Sequence, residues 1–225
     1  MTFSLAGRCA KTGMFGVAIT TSSICVGARC PHTRAGVGAV ATQNVTDPNL
    51  AKLVLDQMEA GLTAEAAIAS IVKDREHISF RQLTAVDVKG STAQFTGDNI
   101  LGTNAISQAD NCIAAGNLLS STAVVKAMTD GFEANPDDHL AKRLLTGLRA
   151  GVDVGGEEGP VHSAGLIVSD KMPFPLVDLR VDWHDTDPIG ELEKLWLAYE
   201  PQMLAYLTRA QNPSDAPSYG VAGDE

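Results

Sequence analysis

The fold is decided by residues 1–23, MTFSLAGRCAKTGMFGVAITTSS, in which two apolar segments flank a short polar turn. Apolar and small residues dominate residues 3–9 and 14–20, whereas Lys11, Thr12 and Gly13 have the composition of a hairpin turn. Both segments are apolar along nearly their whole length, which indicates strands that are buried on both faces. We therefore predict a central β-hairpin that is covered on both sides.

The rest of the chain alternates groups of strands with pairs of helices. Further strands are predicted at residues 35–42, 83–88, 92–95, 112–115, 163–168 and 176–181. Helices are predicted at residues 48–60, 63–74, 120–132, 136–148 and 188–210, with a kink or break in the last one at Pro201. Asp47 and Thr63 are the expected N-caps of the first two helices, and Gly151 is expected to close the second pair.

This order of elements indicates the fold class. Two helix pairs between groups of antiparallel strands do not follow the strict β-α alternation of a doubly wound sheet, so we predict a layered α+β fold. One domain is expected over residues 1–210, followed by a polar tail at residues 211–225 that is expected to be disordered. The chain has neither a GxGxxG nor a GxxxxGK[ST] motif, and no nucleotide or other cofactor is predicted.

Charge and composition narrow the classes of partner. The 225 residues carry a formal net charge of −10, whereas nucleic-acid and anionic-membrane partners usually need a basic face. No apolar run reaches the roughly 18 residues of a membrane-spanning helix, and the N-terminus does not resemble a signal peptide, so a cytoplasmic protein is expected. The four cysteines, Cys9, Cys25, Cys30 and Cys112, form no CxxC pair and are expected to be free thiols.

Thr2 is the first candidate catalytic residue. Its small side chain is the kind that removal of the initiator Met1 requires, so the mature chain can begin with a free Thr. A Thr hydroxyl needs a base to take its proton, and an α-amino group with an ordinary pKa of about 7.7–8.0 can do this near neutral pH. The alternative is that Thr2 only begins an edge strand.

Other polar residues could complete a site for attack on an amide carbonyl. Gln43 and Asn44 follow a predicted buried strand and could donate hydrogen bonds to an oxyanion. Asn117 follows a glycine, where turn formation is the alternative role. Arg29 could bind a substrate carboxylate, or form a surface ion pair. His162 lies beside the glycine-rich segment of residues 151–160, which we expect to be an exposed or substrate-facing loop.

Two further groups of charged residues have competing interpretations. His139, Lys142 and Arg143 are expected on a solvated helix face. A metal-assisted hydrolase is an alternative function, with ligands from a set of His162, His184, Asp185 and Asp187. Because the sequence HDTD at a predicted helix start is better explained by capping and the helix dipole, no metal is predicted.

Five segments carry a family resemblance. They are MTFSL, TGMFGVAITTSS, RAGVGAVATQN, FTGDN and VDLRVDWHDTDPIGEL, and they occur in this order over residues 1–199. On these segments the chain resembles domain-of-unknown-function family 1028, which is grouped with the N-terminal nucleophile (Ntn) hydrolases. The resemblance implies a four-layer αββα sandwich with the first residue at one end of the central sheets. Ntn hydrolases commonly place a basic side chain near the nucleophile, and the nearest ones here are Arg8 and Arg29.

The function expected from these observations is a cofactor-independent Ntn-type amidohydrolase that acts on a C–N bond of a small molecule. Thr2 Oγ would attack, the Thr2 amine would shuttle the proton, and Gln43 or Asn44 would hold the oxyanion. Arg29, Asn117 and His162 would bind the substrate, with Arg29 orienting an acidic one. A homo-oligomer is expected on fold-level analogy. The alternative from another class is a non-catalytic ligand-binding protein with the same fold.

Overall fold

Two antiparallel β-sheets form the centre of the protein, whose computed structural model describes residues 1–223. The larger sheet contains β1 (Thr2–Arg8), β2 (Phe15–Thr21), β7 (Ala105–Ala109), β8 (Cys112–Asn117), β9 (Ser163–Ser169) and β10 (Val177–Val181), in the spatial order β10-β9-β2-β1-β8-β7. The smaller sheet contains β3 (Pro31–Arg34), β4 (Gly38–Asn44), β5 (Arg81–Asp87) and β6 (Thr92–Thr96), in the order β3-β4-β5-β6.

The predicted central hairpin is confirmed. β1 and β2 pair antiparallel at the middle of the larger sheet, with Thr2 opposite Thr21 and Arg8 opposite Phe15. All seven residues of β2 are buried, as the continuous apolar pattern predicts. The second predicted hairpin, β5 with β6, is also present.

The two faces of β1 belong to different cores. Leu5 lies in the core that the larger sheet shares with α3 (Ala123–Glu133) and α4 (Leu140–Asp153). Ala6 lies between the two sheets, in a cluster with Phe15, Val17, Ile113, Ala39, Ala41 and Val86. Because alternate side chains of a strand point to opposite faces, Thr2 and Ser4 point towards the smaller sheet, as Ala6 does.

The remaining helices cover the outer faces of the sheets. α1 (Pro48–Glu59) and α2 (Ala64–Val72) pack against the smaller sheet, where Leu50, Val54 and Ile68 join Val40 and Leu83 in one cluster. α5 (Pro188–Tyr199) and α6 (Met203–Gln211) extend the core of α3 and α4. The protein is thus a mixed α/β fold of two antiparallel sheets and helices. Across residues 1–223, every helix is too short or too polar to span a bilayer.

Several helix signals in the sequence are confirmed. The Asp47 side chain accepts a hydrogen bond from the Asn49 backbone N–H at the start of α1, and Thr63 caps α2 in the same manner. Pro201 lies in a short 3-10 turn that separates α5 from α6, which matches the predicted break. Gln211 ends α6, and a short 3-10 helix follows at Pro213–Asp215. Disorder of the tail stays a prediction, and residues 224–225 lie outside the described residues.

The prediction that Gly151 closes α4 is wrong, because the helix continues to Asp153. A Cβ at Gly151 would lie 2.7 Å from Met128 Cγ, and a Cβ at Gly147 would lie 2.7 Å from the Met128 carbonyl oxygen. The glycines of α4 therefore allow α3 to approach closely, and they do not mark the end of the helix.

The prediction that His139, Lys142 and Arg143 lie on a solvated helix face is also wrong in part. Arg143 is only 8% exposed, donates a hydrogen bond from Nε to the Phe132 carbonyl oxygen, and places its guanidinium 4.0 Å from the centre of the Phe132 ring. His139 is half-buried, caps α4 by accepting from the Ala141 N–H, and stacks on Trp196. Burial lowers the pKa of His139. Lys142 is exposed, as predicted.

Three strands differ from the sequence prediction. Residues 35–42 were predicted as one strand, but β4 begins at Gly38 and β3 precedes it. Gly36 has a φ of +71° in the turn between them, a conformation that glycine adopts without a steric penalty. The edge strand β7 was not predicted, because its half-exposed sequence AISQA has no strong apolar run.

Candidate active site

The side chains of Thr2, Thr21 and Asn117 meet at one edge of the space between the sheets. Thr2 is paired with Thr21 on one side and with Asn117 on the other, so all three side chains lie on the same face of the larger sheet. Thr2 is 6% exposed, Thr21 is 1% exposed and Asn117 is fully buried. Three polar side chains from three neighbouring strands therefore surround the start of the chain.

The hydroxyl of Thr2 lies against the carbonyl group of the residue before it. Thr2 Oγ1 donates to the Met1 carbonyl oxygen at 2.5 Å, and Thr21 Oγ1 donates to the same oxygen. The two hydroxyl oxygens are 3.1 Å apart. The hydroxyls of Thr2 and Thr21 therefore share the Met1 carbonyl oxygen as their acceptor.

Asn117 leaves two polar atoms without a hydrogen bond at the site. Within residues 1–223, neither its Oδ1 nor its Nδ2 has a hydrogen-bond partner, although the side chain is fully buried. Most buried amides in proteins are hydrogen-bonded, and a lost partner costs about 1–3 kcal/mol. The amide can therefore serve a bound ligand or a developing oxyanion.

Glu157 brings a buried carboxyl group to the same edge. Its backbone forms an isolated bridge with Leu119, two residues beyond Asn117, and the next residue donates its N–H to the Leu118 carbonyl oxygen. The side chain is 6% exposed, and within the described part of the chain neither carboxyl oxygen makes a well-aligned hydrogen bond.

The electrostatic surroundings of Glu157 favour its neutral form. Burial raises the pKa of the Glu157 carboxyl group to about 8. The positive charge of the N-terminus and the backbone N–H of Ser22 act in the opposite direction, and their effect on the pKa is smaller. Glu157 can therefore exchange a proton near neutral pH.

Gln43 lies between the two sheets and contacts Ser4, two residues beyond Thr2 on β1. Ser4 Oγ donates to Gln43 Oε1 at 2.6 Å, and Gln43 Nε2 donates to Gln82 Oε1 at 2.7 Å. Gln82 Nε2 in turn donates to the Gly116 carbonyl oxygen. Gln43 thus belongs to a hydrogen-bonded network between the sheets, and its catalytic role stays a prediction.

Asn44 and Arg29 hold the loops around the site. Asn44 Nδ2 donates to the Phe80 carbonyl oxygen, and Asn44 Oδ1 accepts from the Leu101 N–H. Arg29 Nη1 donates to the Ile24 and Cys25 carbonyl oxygens, and its Nη2 donates to Ser23 Oγ at 3.2 Å. Ser23 Oγ is in turn 3.4 Å from Thr21 Oγ1, so Arg29 reaches the site only through intermediate hydroxyls.

His162 lies next to β2 at the same end of the sheet. Its backbone N–H donates to the Thr21 carbonyl oxygen, and its ring stacks on Trp183 with the ring centres 4.4 Å apart. Its Nδ1 is 3.0 Å from the His184 carbonyl oxygen. The structure thus brings Thr2, Asn117 and His162 to one end of the sheet.

The residues considered as metal ligands have other partners. His184 Nδ1 accepts from the backbone N–H groups of Thr186 and Asp187, and Asp187 caps α5. Asp185 accepts from Trp183 Nε1. Over residues 1–223, no three His, Cys, Asp or Glu side chains are grouped so that they could hold a metal ion.

Sequence reasoning missed Thr21, and it placed Glu157 only in a loop. Thr21 ends an apolar strand as part of the segment TTSS, and only the β1–β2 register places its hydroxyl beside Thr2. Glu157 was expected in an exposed or substrate-facing loop, and its side chain is buried because the chain turns back after α4 and pairs with Leu119. The sequence signal that could have indicated Glu157 is its position in a short segment that leads into the apolar strand β9.

A family model and one solved structure match most of the chain. The model described as "Family of unknown function (DUF1028)" matches residues 2–192. The crystal structure of protein SPO2555 from Silicibacter pomeroyi, which carries the same family model, is 31% identical, covers 88% of each chain, and has a TM-score of 0.82. None of the curated proteins matches the chain.

More distant similarities are to Anbu (ancestral beta-subunit) proteins. Anbu from Yersinia bercovieri is 10% identical over 90% of this chain and 96% of its own, with a TM-score of 0.41. The Anbu (Gly-1) mutant from Hyphomicrobium sp. strain MC1 is 14% identical over 91% of this chain and 97% of its own, with a TM-score of 0.44. These similarities are too distant to support a conclusion about fold or activity.

Proposed function

Because the chain belongs to the family of unknown function DUF1028, we propose its function from the site itself. We propose that it is an Ntn-type amidohydrolase with the αββα arrangement of that class, and that Thr2 becomes the N-terminal nucleophile after Met1 is removed. The observation that carries the proposal is the position of Thr2 at the start of β1, directly between Thr21 and Asn117 on the two neighbouring strands.

The proposed reaction uses groups that the chain itself supplies. Thr2 Oγ attacks the carbonyl carbon of a small amide while the α-amino group of Thr2 takes its proton. In this proposal the Thr21 hydroxyl and the buried Asn117 amide donate to the developing oxyanion, which is supported by their position on the same face of the sheet as Thr2. Gln43 and Asn44 are weaker candidates for the oxyanion donor than Thr21 and Asn117, since the amides of both residues already have hydrogen-bond partners.

The first test combines intact mass with turnover of small amides. We expect the purified protein to lack Met1, and Thr2→Ala to reduce hydrolysis by roughly a thousandfold or more, because the nucleophile is lost. Thr2→Ser is the matched control, since it keeps a hydroxyl and also permits Met1 removal. Undiminished turnover by Thr2→Ala would exclude Thr2 as the nucleophile.

Two other outcomes would favour the alternatives. A chain that starts at Thr2 and binds small molecules without hydrolysing them would indicate a non-catalytic ligand-binding protein on this fold. Activity that disappears on chelation and returns with a divalent metal would favour the metal-assisted hydrolase. A homo-oligomer also belongs to the proposal, and sedimentation analysis tests it.

A further inference from the structure

A cavity of about 240 Å³ lies at the end of β1 that is opposite Thr2. It is bordered by the β1–β2 turn, the β7–β8 turn and the helices α3 and α4. The charged and amide side chains in its lining are Arg8, Lys11, Asp110, Asn111, Glu133 and Arg143. Six residue steps along β1 separate Arg8 from Thr2, which is roughly 20 Å at about 3.3 Å per residue. The cavity is therefore distinct from the candidate active site.

Arg143 brings a buried positive charge to this cavity. The residue is only 8% exposed, and its side chain donates from Nε to the Phe132 carbonyl oxygen and stacks on the Phe132 ring. Over residues 1–223, the side chain makes no further hydrogen bond and no ion pair. Its Nη1 and Nη2 donors thus have no protein acceptor in the described structure. A buried charge without an anionic partner is costly, so a bound anion would stabilise this arrangement.

Arg8 lines the same cavity with a second guanidinium group. Its Nη1 donates to Asn111 Oδ1 at 3.0 Å, whereas its Nε is buried and has no hydrogen-bond partner in the described part of the chain. The side chain as a whole is half-buried. Like Arg143, Arg8 forms no ion pair with a carboxylate of residues 1–223. Two guanidinium groups from different elements therefore line one cavity without an anionic partner.

The other charges in the lining have weaker effects on a ligand. Asp110 and Glu133 would oppose an anion, but both residues are exposed, so water and salt screen their charges. Arg143 is buried, and charges act more strongly where the effective dielectric constant is lower. Lys11 is exposed and is paired with Asp137. The buried part of the cavity therefore favours a negatively charged group.

We infer that this cavity binds the phosphoryl group of a small molecule. One guanidinium fork is enough to bind the two oxygens of a carboxylate. Two guanidinium groups offer more donors and a second positive charge, which match the three oxygens and the charge of about −1.5 to −2 of a phosphoryl group. This inference is independent of the proposed hydrolase function, because it uses residues at the other end of β1.

Calorimetric titration of the intact protein at neutral pH and low salt tests the inference, with inorganic phosphate, methyl phosphate and acetate as the probes. We expect saturable binding of one phosphate per chain, at least roughly tenfold tighter than binding of acetate. Arg8→Gln and Arg143→Gln should each weaken phosphate binding by roughly tenfold or more.

Lys142→Gln is the matched control for these two variants. It removes one positive charge from the same helix as Arg143, but Lys142 is exposed and does not line the cavity. Phosphate affinity should therefore stay within about twofold of the wild type, because an exposed charge is screened. An equal loss in Lys142→Gln and in the arginine variants would show that phosphate responds only to net charge, and would overturn the inference.

A second measurement locates the ligand without any substitution. In a nitrogen-15 NMR titration with inorganic phosphate, the backbone amide signals of Cys9, Lys11 and Asn111 should shift, whereas those of Thr21 and Ser22 should not. This result can be read even if Arg143→Gln does not fold. Phosphate-dependent shifts that leave out Cys9, Lys11 and Asn111 would overturn the inference.

The two phosphate probes distinguish the source of the phosphoryl group. Tighter binding of methyl phosphate would indicate a phosphate ester, and tighter binding of inorganic phosphate would indicate the free ion; both outcomes support the inference. It is overturned if neither probe binds saturably, if acetate binds as tightly, or if a folded Arg8→Gln or Arg143→Gln variant keeps full affinity.

Discussion

Two polar clusters lie next to each other along β1, and they differ in how fully their hydrogen bonds are satisfied. In the inter-sheet network of Ser4, Gln43 and Gln82, the hydroxyl and both amides have protein partners at ordinary distances. The Thr2 cluster consists of Thr2, Thr21, Asn117 and Glu157. The side chains of Asn117 and Glu157 are buried, and within residues 1–223 neither makes a well-aligned hydrogen bond.

This difference separates a structural role from a functional one. A fully satisfied buried network holds two sheets in one register, and its members gain nothing by releasing their partners. A buried amide and a buried carboxyl group without partners cost stability, so a fold retains them where a ligand or reaction supplies the missing contact. The three predictions below test this comparison, from the largest expected effect to the smallest.

The largest effect is expected for Glu157→Gln as a function of pH. The pKa of Glu157 is raised from 4.5 to about 8, so the folded protein binds more protons than the unfolded chain between these values. Wild-type stability should therefore fall as pH rises from about 4.5 to about 8, by at most roughly 5 kcal/mol at 1.4 kcal/mol per pKa unit. Glu157→Gln removes this pH-dependent loss.

Urea unfolding at pH 5 and pH 8.5 measures this effect. Glu158→Gln is the matched control, because the Glu158 side chain is exposed and its charge is solvated. A wild-type protein and a Glu157→Gln variant with parallel pH profiles would show that the Glu157 carboxyl group is hydrated.

A smaller loss is expected when the satisfied network is broken. Gln43→Leu removes the partners of Ser4 Oγ and Gln82 Oε1 and leaves both groups buried. The free energy of unfolding should fall by roughly 2–4 kcal/mol, as measured by urea denaturation. Gln94→Leu, on the exposed edge strand β6, should change it by less than about 0.5 kcal/mol. A Gln43→Leu variant as stable as the wild type would mean that the network contributes little.

The smallest effect is expected for the corresponding substitution in the Thr2 cluster. Asn117→Leu replaces an amide whose two polar atoms have no partner within the described residues, so stability should stay within about 1 kcal/mol of the wild type or increase. Replacing a buried amide by leucine is therefore expected to lower stability at Gln43 but not at Asn117. A loss above about 2 kcal/mol for Asn117→Leu, measured by urea denaturation, would show that the amide is satisfied by water in the folded protein.

The sequence predicted those features that depend on neighbouring residues. Both hairpins follow from short polar turns between apolar segments, and Asp47 and Thr63 cap helices because a side-chain oxygen can reach an N–H two or three residues away. Thr2 was identifiable for the same reason, since its chemistry depends on its position in the chain. Gly151 was misread because its role lies in the packing of α4 against α3, which no local pattern records.

What only the tertiary structure decided is the set of groups around Thr2. Thr21, Asn117 and Glu157 come from three segments distant in sequence, and their meeting depends on the antiparallel register of β1 with β2 and β8 and on the bridge to Leu119. The sequence by itself determined the layered strands and helices, the hairpin at its centre and the residue at its start. Burial determined the rest, because it leaves the Asn117 amide without a hydrogen-bond partner among residues 1–223 and raises the pKa of Glu157.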